Sequence, residues 1–204
     1  MPLDQLRAFV EQLDFHGGVT SLKVCGGEPL LHPQVTEAYE ILVQAAERGV
    51  IRRIKMQTNG TVPRPNLRPS ACVIWKSSKP AKKVHLPYEW SPSDLGLPVT
   101  APCSHPFRCG YAFDTRGWML CSPGIMIARL FGHEYLYRTD MPTKPWGLEL
   151  CRHCIYAAPE DFRRTHVKHL AAFTPEMKMA SKSWFDALRL AGAEPEGPLD
   201  TRPF

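Results

Sequence analysis

Cysteines are the residues of this sequence whose spacing points most directly to chemistry. Cys151 and Cys154 form a C-x-x-C pair, and Cys103, Cys109 and Cys121 precede it. A C-x-x-C pair brings two thiolates onto one metal from a single tight turn, and a distant pair completes four ligands. Five cysteines exceed four ligand places, so we expect one of Cys103 and Cys109 to be a bystander or to serve a different role. This segment therefore predicts a metal or iron–sulfur centre.

The spacing of the cysteines does not choose between zinc and iron–sulfur, because four thiolates serve both. His105 and His153 lie close to the cysteines in the sequence and leave a mixed Cys/His zinc site open. The remaining cysteines, Cys25 and Cys72, lie in apolar stretches. We expect both to be small buried residues rather than ligands.

A second candidate site follows a short apolar stretch at residues 22–25. Gly26 and Gly27 come next, followed by Glu28 and Pro29. Paired glycines allow a ligand to approach the backbone closely, and Pro29 stiffens the turn behind the carboxylate. In α/β folds ligands bind at the carboxyl edge of the strands. The pattern therefore predicts a ligand site in which the side chain of Glu28 takes part.

Hydrophobic periodicity predicts the elements that position these residues. Helical spacing predicts helices at residues 3–13 and 34–49, the first with Leu3, Leu6, Val10 and Leu13 on one apolar face. Strand patterns cover residues 19–25, 50–57 and 71–75. Helices and strands that alternate at such short spacings form parallel strands with crossover helices, which defines an α/β fold.

Thr58 and Asn59 end the second of these predicted strands, in a Thr-Asn-Gly turn. Because parallel strands end at the same edge of a sheet, Thr58 and Asn59 are expected to line the same cleft as Glu28. Farther along, residues 84–88 are a further candidate strand. Thr174, followed by a proline, predicts the start of a helix that runs to about residue 191 with Trp184 on a buried surface.

Composition excludes several classes of protein. The chain has 204 residues, 44% of them hydrophobic, and a formal net charge of +5, which are the values of an ordinary globular protein. No apolar run is long enough to span a membrane, and the N-terminus has no signal-peptide pattern. The basic stretches at residues 76–83 and 163–168 lack interleaved aromatic residues, so nucleic-acid binding is not favoured. Seven cysteines without a secretory signal indicate a reducing, cytoplasmic location.

Three features together resemble the radical SAM superfamily. They are the run Cys-Gly-Gly-Glu-Pro-Leu-Leu-His-Pro at residues 25–33, Thr-Asn-Gly at residues 58–60, and the cysteine-rich segment at residues 103–154, which is similar to auxiliary-cluster (SPASM or twitch) extensions. Within that segment Gly117, between Cys103 and Cys121, resembles the glycine of the Cys…Gly…Cys hairpin found in these auxiliary domains.

The resemblance implies a partial (β/α) barrel with a cysteine-rich C-terminal extension. It implies a site for S-adenosylmethionine (SAM) made by Gly26, Gly27, Glu28, Pro29, Thr58 and Asn59. It also favours an auxiliary [4Fe-4S] cluster, rather than zinc, held by four among Cys103, Cys109, Cys121, Cys151 and Cys154. The expected domains are an α/β core at residues 1–100, a cluster segment at 101–160, and a C-terminal helix and tail at 161–204.

One departure from the family is clear in the sequence. The C-x-x-x-C-x-x-C motif, which holds the catalytic cluster and is expected just before the first helix, is absent. We expect either an N-terminal truncation, which we favour, or a degenerate relative. A full-length form would use a 5′-deoxyadenosyl radical to modify a peptide, a protein or a small molecule, whereas this chain is expected not to cleave SAM alone. The competing hypothesis is a non-catalytic accessory protein stabilised by zinc or a cluster.

Overall fold

The computed structural model describes residues 1–25, 28–58, 60–77, 91–100, 103, 110–162 and 181–192. The chain divides into two compact units, an N-terminal unit at Met1–Lys82 and a C-terminal unit at Lys83–Phe204. The division lies before the expected boundary at residue 100. The reason is that residues 91–100 pack with the later part of the chain, where Ser91 bonds to Ser181.

The N-terminal unit is a small α/β structure. Three parallel strands lie side by side in the order β1-β2-β3, with Leu22 opposite Ile54 and Ile54 opposite Val73. The described strands form an open sheet, so the partial barrel stays a prediction. The elements in chain order are α1 (Leu3–Phe15), β1 (Leu22–Val24), α2 (Val35–Glu47), β2 (Ile54–Thr58) and β3 (Val73–Ser77).

The core of this unit follows the two periodicities seen in the sequence. Strand β2 buries every second residue, Ile54, Met56 and Thr58, as a period of two requires. Helix α1 buries Val10 and Leu13 as predicted. It also buries Phe9, which takes the place expected for the half-buried Leu3 and Leu6.

The connection from β2 to β3 has no helix among its described residues, in keeping with its three prolines. It is held against α2 through Arg68. The guanidinium group of Arg68 forms ion pairs with Glu40 at 2.7 Å and with Glu47 at 2.6 Å. The backbone carbonyl of Arg68 accepts a hydrogen bond from the hydroxyl of Tyr39.

The C-terminal unit is built around a short antiparallel hairpin. In it Phe113 pairs with Trp118, and Gly117 adopts a φ of 125° at the turn, close to the carbonyl of Arg138. Its strands and helices are β4 (Ala112–Asp114), β5 (Gly117–Met119), α3 (Ser122–Leu130), α4 (Glu160–Phe162) and α5 (Lys182–Leu190). Its 3-10 turns are Pro92–Leu95, Glu134–Leu136, Leu148–His153 and Ile155–Ala157.

The described residues of the C-terminal unit include a core cluster of buried side chains around Met119, Ile127, Leu150, Cys154 and Trp184. Trp184 is fully buried, as its position in the predicted helix suggested. The predicted start of that helix at Thr174 and the candidate strand at residues 84–88 lie outside the described residues.

No helix in the described part of the chain is both long enough and apolar enough to cross a membrane.

Candidate functional site

Four of the five predicted ligand cysteines line one pocket of the C-terminal unit. They are Cys103, Cys121, Cys151 and Cys154. The fifth, Cys109, lies outside the described residues. The other lining residues are apolar except for one tyrosine: Leu120, Pro123, Gly124, Ile127, Leu150, Tyr156 and Ala157.

The elements around the pocket explain how these cysteines meet. Cys121 follows β5 and is the N-cap residue of α3. Cys151 lies in the Leu148–His153 turn. Cys154 comes directly after this turn, and its N–H donates a hydrogen bond to the carbonyl of Cys151 at 3.3 Å. The segment before Cys103 is held because Thr100 donates two hydrogen bonds, from its N–H and its hydroxyl, to the carbonyl of Ala157.

Glycine at position 124 lets α3 pack closely against the side chain of Met119, next to Cys121. A β-carbon added at Gly124 would lie 3.2 Å from the side chain of Met119 and 3.5 Å from the sulfur of Cys121. The first of these distances is tighter than ordinary van der Waals contact. The role of Gly124 could not be predicted from the sequence, because a glycine inside a helical pattern gives no direct signal of what it packs against.

Burial keeps two of the four thiols protonated. It raises the pKa of Cys151 to about 11, and the nearby Cys103 thiol adds to this effect, although the N–H of Cys103 donates to the Cys151 sulfur and opposes it. Burial also raises the pKa of Cys154, against a hydrogen bond from the N–H of Tyr156.

The donor set suits a thiophilic metal, but the thiols are not arranged around a common centre. Among the described residues, no group of three or more His, Cys, Asp or Glu side chains is placed to hold a metal ion. The pocket has a volume of about 20 Å³, which is room for about one water-sized sphere. A single ion therefore needs less movement of the four thiols than a four-iron cluster does.

His153, a residue of the proposed mixed Cys/His site, is not among the residues that line the pocket. Its ring stacks on Phe131, with 3.9 Å between ring centroids, and lies 5.5 Å from the ring of His133. Burial lowers the pKa of His153, and the neighbouring His133 lowers it further. This position favours four cysteines over a site that includes His153, whereas His105 lies outside the described residues.

The N-terminal unit brings together two of the residues predicted to bind SAM. The carboxylate of Glu28 accepts a hydrogen bond from the hydroxyl of Thr58 at 2.8 Å and another from the N–H of Leu30 at 3.1 Å. Thr58 is buried at the carboxyl end of β2, and its hydroxyl also accepts a bond from the N–H of Gly60. The motifs at residues 25–33 and 58–60 therefore meet at one edge of the sheet.

The other residues predicted for this site have different outcomes. Pro29 opens the 3-10 turn Pro29–Leu31, for which Glu28 is the N-cap residue. Gly26, Gly27 and Asn59 lie outside the described residues. Cys25 is exposed, so the expectation that it is buried was wrong, and Cys72 is half-buried rather than fully buried.

Comparison of the chain with protein-family models, with curated proteins and with solved structures finds no match in any of the three. The geometry of the two candidate sites is therefore the basis for any statement about function.

Proposed function

We propose that this chain is a metal-binding protein of the radical SAM type. Its C-terminal unit binds an auxiliary [4Fe-4S] cluster through Cys103, Cys121, Cys151 and Cys154, the four cysteines that line the pocket. The observation that carries the proposal is that these four cysteines, which come from separate parts of the sequence, line one pocket. Four thiolate ligands are the usual set for such a cluster.

The residues of the pocket have distinct roles in this proposal. The thiols of Cys151 and Cys154 are neutral in the absence of a cation because they are buried, and a bound metal holds them as thiolates with release of their protons. The N–H groups of Cys103 and Tyr156 then donate to anionic sulfur, which strengthens both hydrogen bonds. A cluster held in this way supplies one-electron transfer.

The N-terminal unit supports the second part of the proposal, a site for SAM. The Glu28 carboxylate is fixed by Thr58 and by the N–H of Leu30 at the carboxyl edge of a parallel sheet, where α/β proteins bind ligands. There Glu28 would bind the ammonium group of SAM. Proteins of this type that carry C-x-x-x-C-x-x-C use SAM to modify a peptide, a protein or a small molecule in the cytoplasm. This chain has no such motif, and we expect it not to cleave SAM alone.

A non-catalytic zinc-stabilised accessory protein is the second candidate, and one observation favours it. The volume of the pocket, about 20 Å³, suits a single ion better than a cluster. Four thiolates around zinc form a closed site, which contributes to folding rather than to catalysis.

Metal analysis separates the two candidates. The chain is purified once aerobically and once after anaerobic reconstitution with iron and sulfide, and metal per chain is measured with the visible absorbance. A brown protein with about four irons, lost in Cys154→Ser, supports the first proposal. A colourless protein with one zinc supports the second. Cys72→Ser, in the N-terminal unit, is the control and should keep its metal. If the wild-type chain holds neither metal, both proposals fail.

Calorimetric titration with SAM tests the N-terminal site. Glu28→Gln should weaken SAM binding about tenfold or more, because a charge-assisted hydrogen bond contributes about 1.5–3 kcal/mol. Glu11→Gln on the exposed face of α1 is the control. Equal affinities of wild type and Glu28→Gln would remove Glu28 from the site, and release of 5′-deoxyadenosine by this chain alone would contradict the expected lack of SAM cleavage.

A further inference from the structure

A buried tryptophan of the last described helix bonds to the backbone between the two cysteines of the C-x-x-C pair. The indole N–H of Trp184 in α5 donates to the carbonyl of His153 at 2.6 Å, and Trp184 is fully buried. His153 stands between Cys151 and Cys154, at the end of the 3-10 turn. The carbonyl that Trp184 holds therefore belongs to the turn that places both thiols.

The same tryptophan also contacts the helix that begins at a third cysteine. Its ring packs edge-on against Phe131 at 5.3 Å, and Phe131 stacks on the ring of His153. Phe131 is the C-cap residue of α3, whose N-cap residue is Cys121. Trp184 thus restrains His153 in two ways. It bonds to the carbonyl of His153 directly, and it supports the imidazole ring of His153 by way of Phe131.

Helix α5 is itself anchored at its start. Both the N–H and the hydroxyl of Ser183 donate to Asp94, at 2.8 and 2.7 Å. The hydroxyl of Ser181 accepts a bond from the N–H of Ser91, and both of these serines are buried. Since the first turn of α5 is tied down in this way, the ring of Trp184 has a fixed support from which to hold the C-x-x-C turn.

We infer that Trp184 is a positioning residue for the metal site of the C-terminal unit. It keeps the Cys151–Cys154 turn in the conformation that directs both thiols to one pocket, without touching the metal. This inference rests on the proposed function, because it requires the four cysteines to bind a metal. Partners that orient metal ligands in this indirect way typically change metal affinity by about 10- to 100-fold when they are removed.

Trp184→Phe tests the inference, because it keeps an aromatic ring and removes the N–H that bonds to His153. The loss of ring volume that comes with this change is also present in the control below. The full chain is loaded with Zn²⁺, and the rate of metal transfer to a chelator is measured. We expect release at least about tenfold faster than from wild type. A second measurement is the difference between the melting temperatures of the zinc-loaded and metal-free protein. This difference should shrink, whereas a purely structural loss would lower both temperatures and leave it unchanged.

Trp146→Phe is the matched control. The indole N–H of Trp146 also donates to a backbone carbonyl in the C-terminal unit, that of Leu136 at 2.7 Å, but this carbonyl is not in the C-x-x-C turn. Its zinc release should match wild type. Equal release from Trp184→Phe and Trp146→Phe overturns the inference and leaves the metal site standing, whereas a wild-type chain that binds no metal overturns both.

A second variant covers the case in which Trp184→Phe does not fold. Ser183→Ala removes one bond between α5 and Asp94 and keeps the buried ring. It should release zinc faster than wild type, by a smaller factor than Trp184→Phe. Release as slow as from wild type would then overturn the inference.

Discussion

The hydroxyl of Thr58 and the carboxylate of Glu28 are joined by a hydrogen bond of 2.8 Å, which links two motifs that are 30 residues apart. Thr58 is nearly fully buried, and Glu28 is half-buried. The bond therefore fixes the direction of a charged side chain at the carboxyl edge of the sheet, and it requires a hydroxyl at position 58.

Replacing this hydroxyl should destabilise the N-terminal unit. Thr58→Val keeps the shape of the side chain but leaves Glu28 and the N–H of Gly60 each without one bond. We expect the free energy of unfolding to fall by about 1–3 kcal/mol, measured by urea denaturation. Thr20→Val, at an exposed position, should change it by less than about 0.5 kcal/mol. Similar small values for both variants would contradict a role for the Thr58 hydroxyl.

The hairpin of the C-terminal unit should require glycine at position 117. Gly117 has a φ of 125°, and a β-carbon there would collide with the carbonyl oxygen of Arg138, which accepts the N–H of Trp118. Gly132 also has a positive φ, of 71°, but open space around it. Gly132→Ala should therefore cost only the backbone strain, about 1–2 kcal/mol. Gly117→Ala should cost clearly more, because the backbone at Arg138 must also move. If Gly117→Ala and Gly132→Ala lose equal stability in thermal denaturation, the collision with the Arg138 carbonyl is relieved without cost.

Metal binding should become tighter as the pH rises. The pKa of Cys151 is raised to about 11, first by burial and then by Cys103, and burial raises that of Cys154 as well. Both thiols must lose a proton to bind metal, so the affinity for Zn²⁺ should rise about tenfold per pH unit for each proton released. Competition with a chelator between about pH 6 and 9 measures this slope. Cys154→Ser should reduce it, and an affinity independent of pH would exclude these thiols as ligands.

Acid should weaken the anchor of helix α5. Burial acts to raise the pKa of Asp94, but the hydrogen bonds from Ser181 and Ser183, with the charge of His153, outweigh it, and the pKa is lowered. A carboxylate whose pKa is lower in the folded state than in the unfolded state stabilises the fold at pH values above its unfolded-state pKa. This stability is lost as the pH falls through its folded-state pKa. The melting temperature of wild type should therefore drop more steeply below about pH 4 than that of Asp94→Asn. Parallel curves would indicate that Asp94 does not contribute.

The local part of the fold could be predicted from the sequence, because periodicity reports which face of an element is buried. This holds for β2, whose alternation places Ile54 and Met56 in the core. It fails where an aromatic side chain overrides the pattern. Phe9 is buried in α1, whereas Leu3 and Leu6, which were expected there, are half-buried. Tyr39 is buried in α2, where the carbonyl of Arg68 accepts a hydrogen bond from its hydroxyl.

The candidate sites show the same limit. Cysteine spacing predicts a metal centre, but only the folded chain shows that Cys103 lines the pocket together with the C-x-x-C pair. The bond from Trp184 to His153 spans 31 residues, and no local pattern encodes it. Long-range contacts of this kind depend on how separate segments pack, which a single sequence does not report.

The order of the four pocket cysteines along the chain has a consequence for folding. Cys103, Cys121 and the Cys151–Cys154 turn belong to three separate segments, and one ion bound by all four thiols closes the loops between them. Because these segments come together only in the folded chain, the free energy of binding a metal there would add directly to the stability of the C-terminal unit. A metal bound in this way would cross-link the folded C-terminal unit much as disulfides do, but without oxidation of the thiols.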